Sequence, residues 1–303
     1  MSFPQHTPQR ATASQWVLVP LAAIALGLRI YCKCTRSRGV WIDDHVLVFA
    51  WVCLLIAVSL RTDAMAVASG RAVFEVEPSI QPRIGKLNAI SGVFAIGAAM
   101  LSKTSFALTL LRVLFGRLRP LLWFIVVSMN VALFLSVLFV LIQCKPVEKG
   151  WNPTIPGSCW PASVAVRFGL FSSIYSTVMD FVLAGIAWRV IWGLTMKLRE
   201  KIGVAVGMSM GVFAGITGVV KCIYLSRLDF CKSLFELYIW EAAEIAVTIM
   251  AASVPVLRVF VVEKARHGPR QHTRSPAGSG RWCRSRAGLS RTSARRRENP
   301  CRP

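Results

Sequence analysis

The sequence predicts an all-α, polytopic membrane protein with seven transmembrane helices. Of the 303 residues, 54% are hydrophobic, a share that excludes a disordered chain and disfavours a water-soluble domain. Several apolar runs exceed about 18 residues, the length that crosses a bilayer as one helix. Short charged turns separate these runs, so the number of runs predicts the number of spans.

The stretch 168–220 is the clearest of these segments. Its first half, 168–192, is apolar and contains one acid, Asp180. A basic turn with Arg199 and Lys201 follows, and a second apolar run comes after it. We predict a transmembrane helical hairpin here, the fifth and sixth spans, and expect the other helices to pack around it.

The second half of this hairpin carries glycine at nearly every fourth position. The residues are Gly203, Gly207, Gly211, Gly215 and Gly218. This spacing places them on one helix face, where a neighbouring helix can approach closely. In water such a helix would lose about 1 kcal/mol for each glycine, so the pattern is typical of a membrane helix.

Five further apolar runs complete the seven spans. They cover residues 15–31, 45–60, 87–115, 121–142 and 234–260. Loops rich in charge, proline or glycine separate them, and such residues interrupt helices. The predicted organisation is therefore a short polar tail at 1–14, a seven-helix domain at 15–262 and a basic tail at 263–303.

The charge distribution predicts the orientation. The formal net charge is +22, and residues 258–303 carry 13 Lys and Arg but only 2 Glu. Basic residues beside a span stay on the cytoplasmic side, so the C-terminus is expected inside and, with seven spans, the N-terminus outside. We attribute the excess charge to this orientation and to anionic lipid, and expect no binding of nucleic acid.

Two ionisable residues lie deep in predicted spans. Lys103 precedes Arg112 by nine residues, and Asp180 precedes Arg189 by nine. Each is therefore about 13 Å from the same end of its helix, which permits an ion pair. Such a pair is either a switch that responds to helix motion or a static pair that avoids an isolated charge in lipid.

The seventh span carries two acids one turn apart, Glu241 and Glu244. Glu244 is 14 residues from Arg258, which places it near the outer third of the bilayer. It is a candidate for a ligand or cation site, although a structural hydrogen bond to a neighbouring helix is the more common role of such a residue. Trp240 is predicted to be an interfacial anchor.

Cys144 and Cys159 bracket the loop between the fourth and fifth spans. On an outer face they are candidates for a disulfide, with Cys222 and Cys231 as competing partners. No cysteine or histidine spacing indicates a metal site.

We expect no enzymatic activity. Gly207, Ser209 and Gly211 match the GxSxG pattern, but a nucleophile elbow needs a strand–turn–helix context and a base. Here the glycines belong to a helical repeat, and no histidine lies deep in a span.

Ordered motifs along the chain resemble those of the fungal rhodopsin-domain integral membrane proteins, which include surface-sensing receptors of plant-pathogenic fungi. The residues that carry the resemblance are Arg29, Tyr31, Trp41, Asp43, Asp44, Lys103, Arg112, Cys144, Pro146, Trp151, Cys159, Asp180, Arg199, Gly203, Met208, Gly211, Gly215, Trp240, Glu244, Ala251, Pro255 and Arg258. The resemblance covers residues 16–262. The chain departs from the family at Ala72, where a histidine is common, and in a shortened stretch near Asp229.

Despite the word rhodopsin, we expect no retinal and no other cofactor. Retinal attaches through a lysine Schiff base on the seventh helix. Residues 234–262 contain no lysine.

The resemblance implies a receptor-like protein of the plasma membrane. An unknown extracellular ligand would bind among the outer ends of helices 3, 5, 6 and 7, and Arg112, Arg199 or Lys201 would meet a cytoplasmic partner such as a G protein. One alternative is a transporter or channel with a polar path through Lys103, Asp180 and Glu244. Another is a membrane scaffold without signalling.

Overall fold

The computed structural model of the chain describes residues 6–35, 41–68, 77, 79–113, 118–152, 154–192, 198–226 and 232–266. In this part the chain forms seven long helices and one small hairpin. The helices are α1 His6–Thr35, α2 Ile42–Val67, α3 Gln81–Val113, α4 Leu118–Ile142, α5 Ala162–Trp192, α6 Leu198–Ser226 and α7 Lys232–Arg266. The hairpin strands are β1 Cys144–Lys145 and β2 Ser158–Cys159, with a 3₁₀ turn at Val147–Gly150 between them.

Each of the seven helices contains a segment long and apolar enough to cross a membrane. The predicted all-α, seven-helix membrane architecture is therefore confirmed. The end that carries the α4–α5 loop is the disulfide end, and the end where α1 leads into α2 is the Trp41 end.

Several helices are longer than their apolar runs. α1 begins at His6 rather than at residue 15, and α7 continues to Arg266. Apolar runs report the part of a helix that lipid requires, whereas backbone hydrogen bonds continue into polar flanking residues. The basic tail was predicted at 263–303, but residues 263–266 belong to α7, and the remainder, 267–303, lies outside the described residues.

The start of α2 also differs from the prediction, because the helix begins at Ile42 instead of His45. Trp41 is the N-cap residue, and its backbone N–H donates to the Asp44 carboxylate at 3.1 Å. An acid at the third helical position that reaches back to the N-cap is half of a capping box. Asp43 and Asp44 consequently lie in the first helical turn, where carboxylates favour the positive end of the helix dipole.

The α5–α6 hairpin is not the centre of the bundle, contrary to the prediction. α3 and α7 pack against each other and each contacts several further helices, whereas α4 packs mainly on α3 and α5 at the periphery. The physical reason is charge. α3 and α7 carry the buried ionisable side chains Lys103 and Glu244, which are 0% and 2% exposed, and such groups must face the protein interior and not lipid.

The glycine face of α6 packs on α5. A Cβ atom added at Gly211 would lie 3.2 Å from Ala184, and one at Gly218 would lie 3.2 Å from the Cβ of Thr177. Gly215 faces the ring of Phe181 in the same way. The close approach predicted for this stripe therefore occurs between the two hairpin helices, while the surroundings of Gly203 and Gly207 lie outside the described residues.

The loop at the disulfide end is ordered turns, as its proline and glycine content predicts. Cys144 and Cys159 are paired in the two-stranded sheet and joined by a disulfide. The loop also reaches α3, because Trp151 packs on Gly85. A Cβ atom added at Gly85 would lie 3.1 Å from the backbone oxygen of Trp151. The hairpin thus ties α4, α5 and the start of α3 together.

Candidate functional site

The ammonium group of Lys103 is held by three oxygen atoms from two neighbouring helices. It donates to Ser176 at 2.5 Å and to Asp180 at 2.7 Å, both on α5. A third bond, of 2.5 Å, reaches Glu244 on α7. The side chain of Lys103 is 1% exposed. The ion pair anticipated between Lys103 and Asp180 is thus present, and Glu244 is a second carboxylate on the same cation.

Further ion pairs extend this arrangement toward the disulfide end. Lys221 on α6 donates to Glu244 at 3.1 Å and lies 4.0 Å from Glu241. Glu241 also pairs with Arg61 on α2. The Arg61 guanidinium stacks on the ring of Tyr238, 4.2 Å from its centroid, a cation–π contact that supports the charge from its other side.

These side chains form one continuous charge network across five helices. Its ionisable members are Arg61, Lys103, Asp180, Lys221, Glu241 and Glu244. Three cations face three carboxylates, so the network is neutral when all six are ionised. Neutral pairing is what permits charges at membrane depth, but removing one member would leave another charge unpaired in an apolar interior.

The depth predicted for Glu244 was wrong because Arg258 is not level with Arg112. Arg29 bonds both Thr109 on α3 and the carbonyl of Ala252 on α7, so Thr109 and Ala252 share a depth. Glu244 is only eight residues from Ala252, which brings it to the level of Lys103. Arg258 is six residues beyond Ala252 on α7, whereas Arg112 is three residues beyond Thr109 on α3, so the two arginines do not mark the same depth.

Two buried N–H groups beside the network lack partners among the described residues. They are Nε of Arg61 and Nε1 of Trp240. Trp240 precedes Glu244 by one helical turn, on the same side of α7. The polar atom of Trp240 is turned away from the surface, and its role as an interfacial anchor stays a prediction. Unpaired buried donors are uncommon in proteins and call for an explanation.

A second cluster surrounds Arg29 near the Trp41 end. Arg29 is fully buried and donates to Asp44 at 2.8 Å and to Asp43 at 2.5 Å. It also donates to Thr109 at 3.1 Å and to the backbone carbonyl of Ala252. The planar guanidinium offers five donors in fixed directions, which lets one side chain of α1 hold α2, α3 and α7 together.

Lys33 and Arg112 complete this Arg29 cluster. Lys33 donates to Asp44 at 2.5 Å and to Asp43 at 3.1 Å. Arg112 lies 3.9 Å from Asp43 and stacks on the Trp41 ring, 4.0 Å from its centroid. The cluster is defined here as Arg29, Lys33, Asp43, Asp44 and Arg112, with three cations and two carboxylates.

The structure brings together most of the residues singled out in the sequence. Lys103, Asp180, Glu241 and Glu244 share the charge network, while Arg29, Asp43, Asp44 and Arg112 share the other cluster. Arg199 and Lys201 belong to the first turn of α6 instead of a loop, and their side chains lie outside the described residues.

Sequence reasoning missed Arg61, Lys221 and Lys33. Lys221 directly follows the predicted stretch 168–220, but apolar residues continue after it at 222–225, so its charge at that position was a usable signal. Arg61 and Lys33 follow their apolar runs directly, and they resemble ordinary flanking charges until the helices are seen to continue past them.

Two further expectations concern chemistry that the helices carry. Gly207, Ser209 and Gly211 lie inside the continuous helix α6, so the GxSxG pattern has no strand–turn–helix context. α7 does contain lysine, at Lys232 and Lys264, but only near its two ends. Among the described residues, no group of three or more His, Cys, Asp or Glu side chains is arranged to hold a metal ion.

Comparison with known proteins identifies the family. No curated protein matches the chain. The family model described as fungal rhodopsin domain matches residues 28–263, which include the charge network, the Arg29 cluster and the disulfide hairpin. The match covers more than half of the sequence, and the chain is a seven-helix membrane protein of the fungal rhodopsin domain family.

Proposed function

We propose that the protein is a non-catalytic membrane receptor that responds to an extracellular ligand and passes the signal to a cytoplasmic partner. One observation carries this proposal, the neutral charge network that joins five helices. A ligand that displaces one ion pair in it changes the forces between α2, α3, α5, α6 and α7 at once.

The ligand would enter from the disulfide end and bind beside Arg61, Glu241 and Trp240. Arg61 and Lys221 lie six and five residues from the ends of their helices at that side of the bundle. The two unpaired N–H donors, on Arg61 and Trp240, offer hydrogen bonds to acceptor groups of a ligand. Glu241 and Lys221 lie next to them, so a polar or charged ligand would compete directly for network partners.

The signal would travel along α3 and α7. α3 carries Lys103 in the network and Thr109 in contact with Arg29. α7 carries Glu244 in the network and Ala252 in contact with the same Arg29. A shift of either helix at one cluster therefore perturbs the other. Arg112 and the basic start of α6, with Arg199 and Lys201, would present the changed surface to a G protein.

A reconstituted G-protein assay tests this proposal without knowledge of the ligand. Asp180→Asn removes one carboxylate from Lys103 and should loosen α5 from α3, whereas Asp63→Asn makes the same change at an exposed position of α2. In nanodiscs with a fungal heterotrimeric G protein, we expect Asp180→Asn to raise basal nucleotide exchange about five-fold or more, the scale of a typical allosteric coupling. Exchange that stays equal in the wild type and both variants would contradict coupling to that G protein.

The orientation is part of the proposal, with the N-terminus outside and the C-terminus inside at the plasma membrane. Reporter tags on both termini in intact cells test it directly. Tags on the same side of the membrane would refute the orientation and remove the proposed route from ligand to partner.

A second candidate function is transport of a proton or small ion. The observation that favours it is continuity, because ionisable side chains run from Arg61 through Glu241, Lys221, Glu244 and Lys103 to Asp180 without interruption. Such chains serve as proton relays in membrane proteins. Flux into proteoliposomes that is lost in Asp180→Asn would favour transport. Nucleotide exchange without flux would favour the receptor.

A further inference from the structure

We propose that the Trp41 end of the bundle contains a site for the phosphate headgroup of an anionic lipid, formed by Arg112 and Trp41 at the junction of α1, α2 and α3. This site is separate from the ligand site proposed above. It lies at the opposite end of α3 and shares no side chain with the ligand site, so either of these two assignments can fail without the other. Arg112 is shared with the surface proposed to face a G protein, and lipid occupancy is measured without that partner.

The Arg29 cluster contains more positive than negative charge. Arg29, Lys33 and Arg112 are cations, and Asp43 and Asp44 are the carboxylates among them. One positive charge is therefore left over. A surplus cation at the edge of a membrane protein attracts an anion, and phosphate headgroups are the most abundant anions there.

Arg112 is the surplus cation of the Arg29 cluster. One oxygen of Asp43, Oδ2, already accepts bonds from Arg29 at 2.5 Å and from Lys33 at 3.1 Å. The other, Oδ1, is 3.9 Å from Arg112, which is beyond hydrogen-bond distance. Asp44 is likewise held by Arg29 and Lys33. Arg112 is thus the least neutralised of the three cations.

The geometry of the Arg112 guanidinium suits a phosphate group. One face rests on the Trp41 ring, 4.0 Å from its centroid, and the side chain is 42% exposed. Within the described part of the chain, its N–H groups have no hydrogen-bond acceptor. Stacking fixes the plane of a guanidinium and leaves its edge donors directed outward, the arrangement that binds a phosphate through two parallel hydrogen bonds.

The apolar residues beside this site favour a lipid over free phosphate as its ligand. Trp41 and Ile42 are exposed, Ile42 at 75%, and both lie one helical turn or less from Asp43. Large apolar side chains beside a cation match a molecule that carries acyl chains next to its charge, and an exposed tryptophan is typical of the membrane interface. A soluble anion would gain nothing from these neighbours.

Lipid binding to the purified full-length protein tests the site. Native mass spectrometry in detergent would count lipid adducts after addition of phosphatidylserine or of phosphatidylcholine. We expect Arg112→Gln to lower phosphatidylserine occupancy about five-fold, the effect of one basic side chain near an anionic lipid, and to leave phosphatidylcholine occupancy unchanged. Arg83→Gln is the matched control, since Arg83 is exposed near the other end of α3.

Further arms of the experiment separate the alternatives. Arg112→Lys keeps the charge and should retain more phosphatidylserine than Arg112→Gln, which guards against a loss due only to misfolding. Phosphatidylserine that resists competition by millimolar inorganic phosphate supports a lipid site, and equal displacement by phosphate would assign the site to a soluble anion. Equal phosphatidylserine occupancy in the wild type, Arg112→Gln and Arg83→Gln would overturn the proposal.

Discussion

Lys103 is the residue whose replacement should affect stability most. Its ammonium holds Asp180 at 2.7 Å and Glu244 at 2.5 Å in a site that is almost fully buried. Lys103→Met would fill similar space but leave the two carboxylates beside each other without their shared cation. Breaking a buried pair in this way costs about 3–5 kcal/mol of unfolding free energy. Lys86→Met, at an exposed position of the same helix, should change that free energy by less than about 0.5 kcal/mol.

Asp180→Asn should have opposite effects on stability in the wild type and in the Lys103→Met background. In the wild type, Asp180→Asn removes a charge-assisted hydrogen bond and should cost about 1.5–3 kcal/mol. In the Lys103→Met background the same change removes a carboxylate that has lost its cation and that repels Glu244. There, Asp180→Asn should stabilise the protein, so the double variant should be more stable than Lys103→Met alone.

Unfolding by a denaturing detergent, followed by tryptophan fluorescence in mixed micelles, would measure all four free energies. The cycle isolates the interaction between the two positions from their separate effects. If Asp180→Asn destabilises both backgrounds equally, the two side chains do not interact, and the charge network described above does not hold α3 to α5. A Lys103→Met variant as stable as Lys86→Met would lead to the same conclusion.

Two further predictions concern packing and the disulfide. Gly218→Ala should lower the free energy of unfolding by about 1–3 kcal/mol, because the new methyl group meets the buried Thr177 side chain. Gly97→Ala should lower it little, because a methyl group there would have nothing within 4 Å. Unfolding in mixed micelles compares the two variants. The Cys144–Cys159 disulfide closes a segment with a sequence separation of 15. Its reduction should lower the free energy of unfolding by about 3 kcal/mol. Unfolding with and without reductant measures this difference.

The controls differ between these two predictions. Equal costs for Gly218→Ala and Gly97→Ala would show that close contact between α5 and α6 does not contribute to stability. For the disulfide, a variant with serine at both Cys144 and Cys159 should no longer respond to reductant. A wild type that is equally insensitive would contradict a stabilising role for the bond.

The sequence alone determined the architecture, because the controlling physics is local. A bilayer requires about 20 apolar residues per helix, and each run that meets this length is visible without knowledge of its neighbours. The glycine repeat of α6 likewise predicted a close helix contact, since four-residue spacing alone places the glycines on one face. Equal distances from basic helix ends were enough to anticipate contact between Lys103 and Asp180.

Only the tertiary structure decided which helices lie inside and which charges meet. Arg61 is 180 residues from Glu241 in sequence, and Lys221 reaches the same group from α6. Their pairing depends on helix rotation, tilt and depth. None of these quantities is set by the length of an apolar run. The depth of Glu244 counted from Arg258 was therefore wrong, because α7 continues beyond the level at which α3 ends. Long-range contacts such as Arg29 with the Ala252 carbonyl are what establish the common depth of the helices.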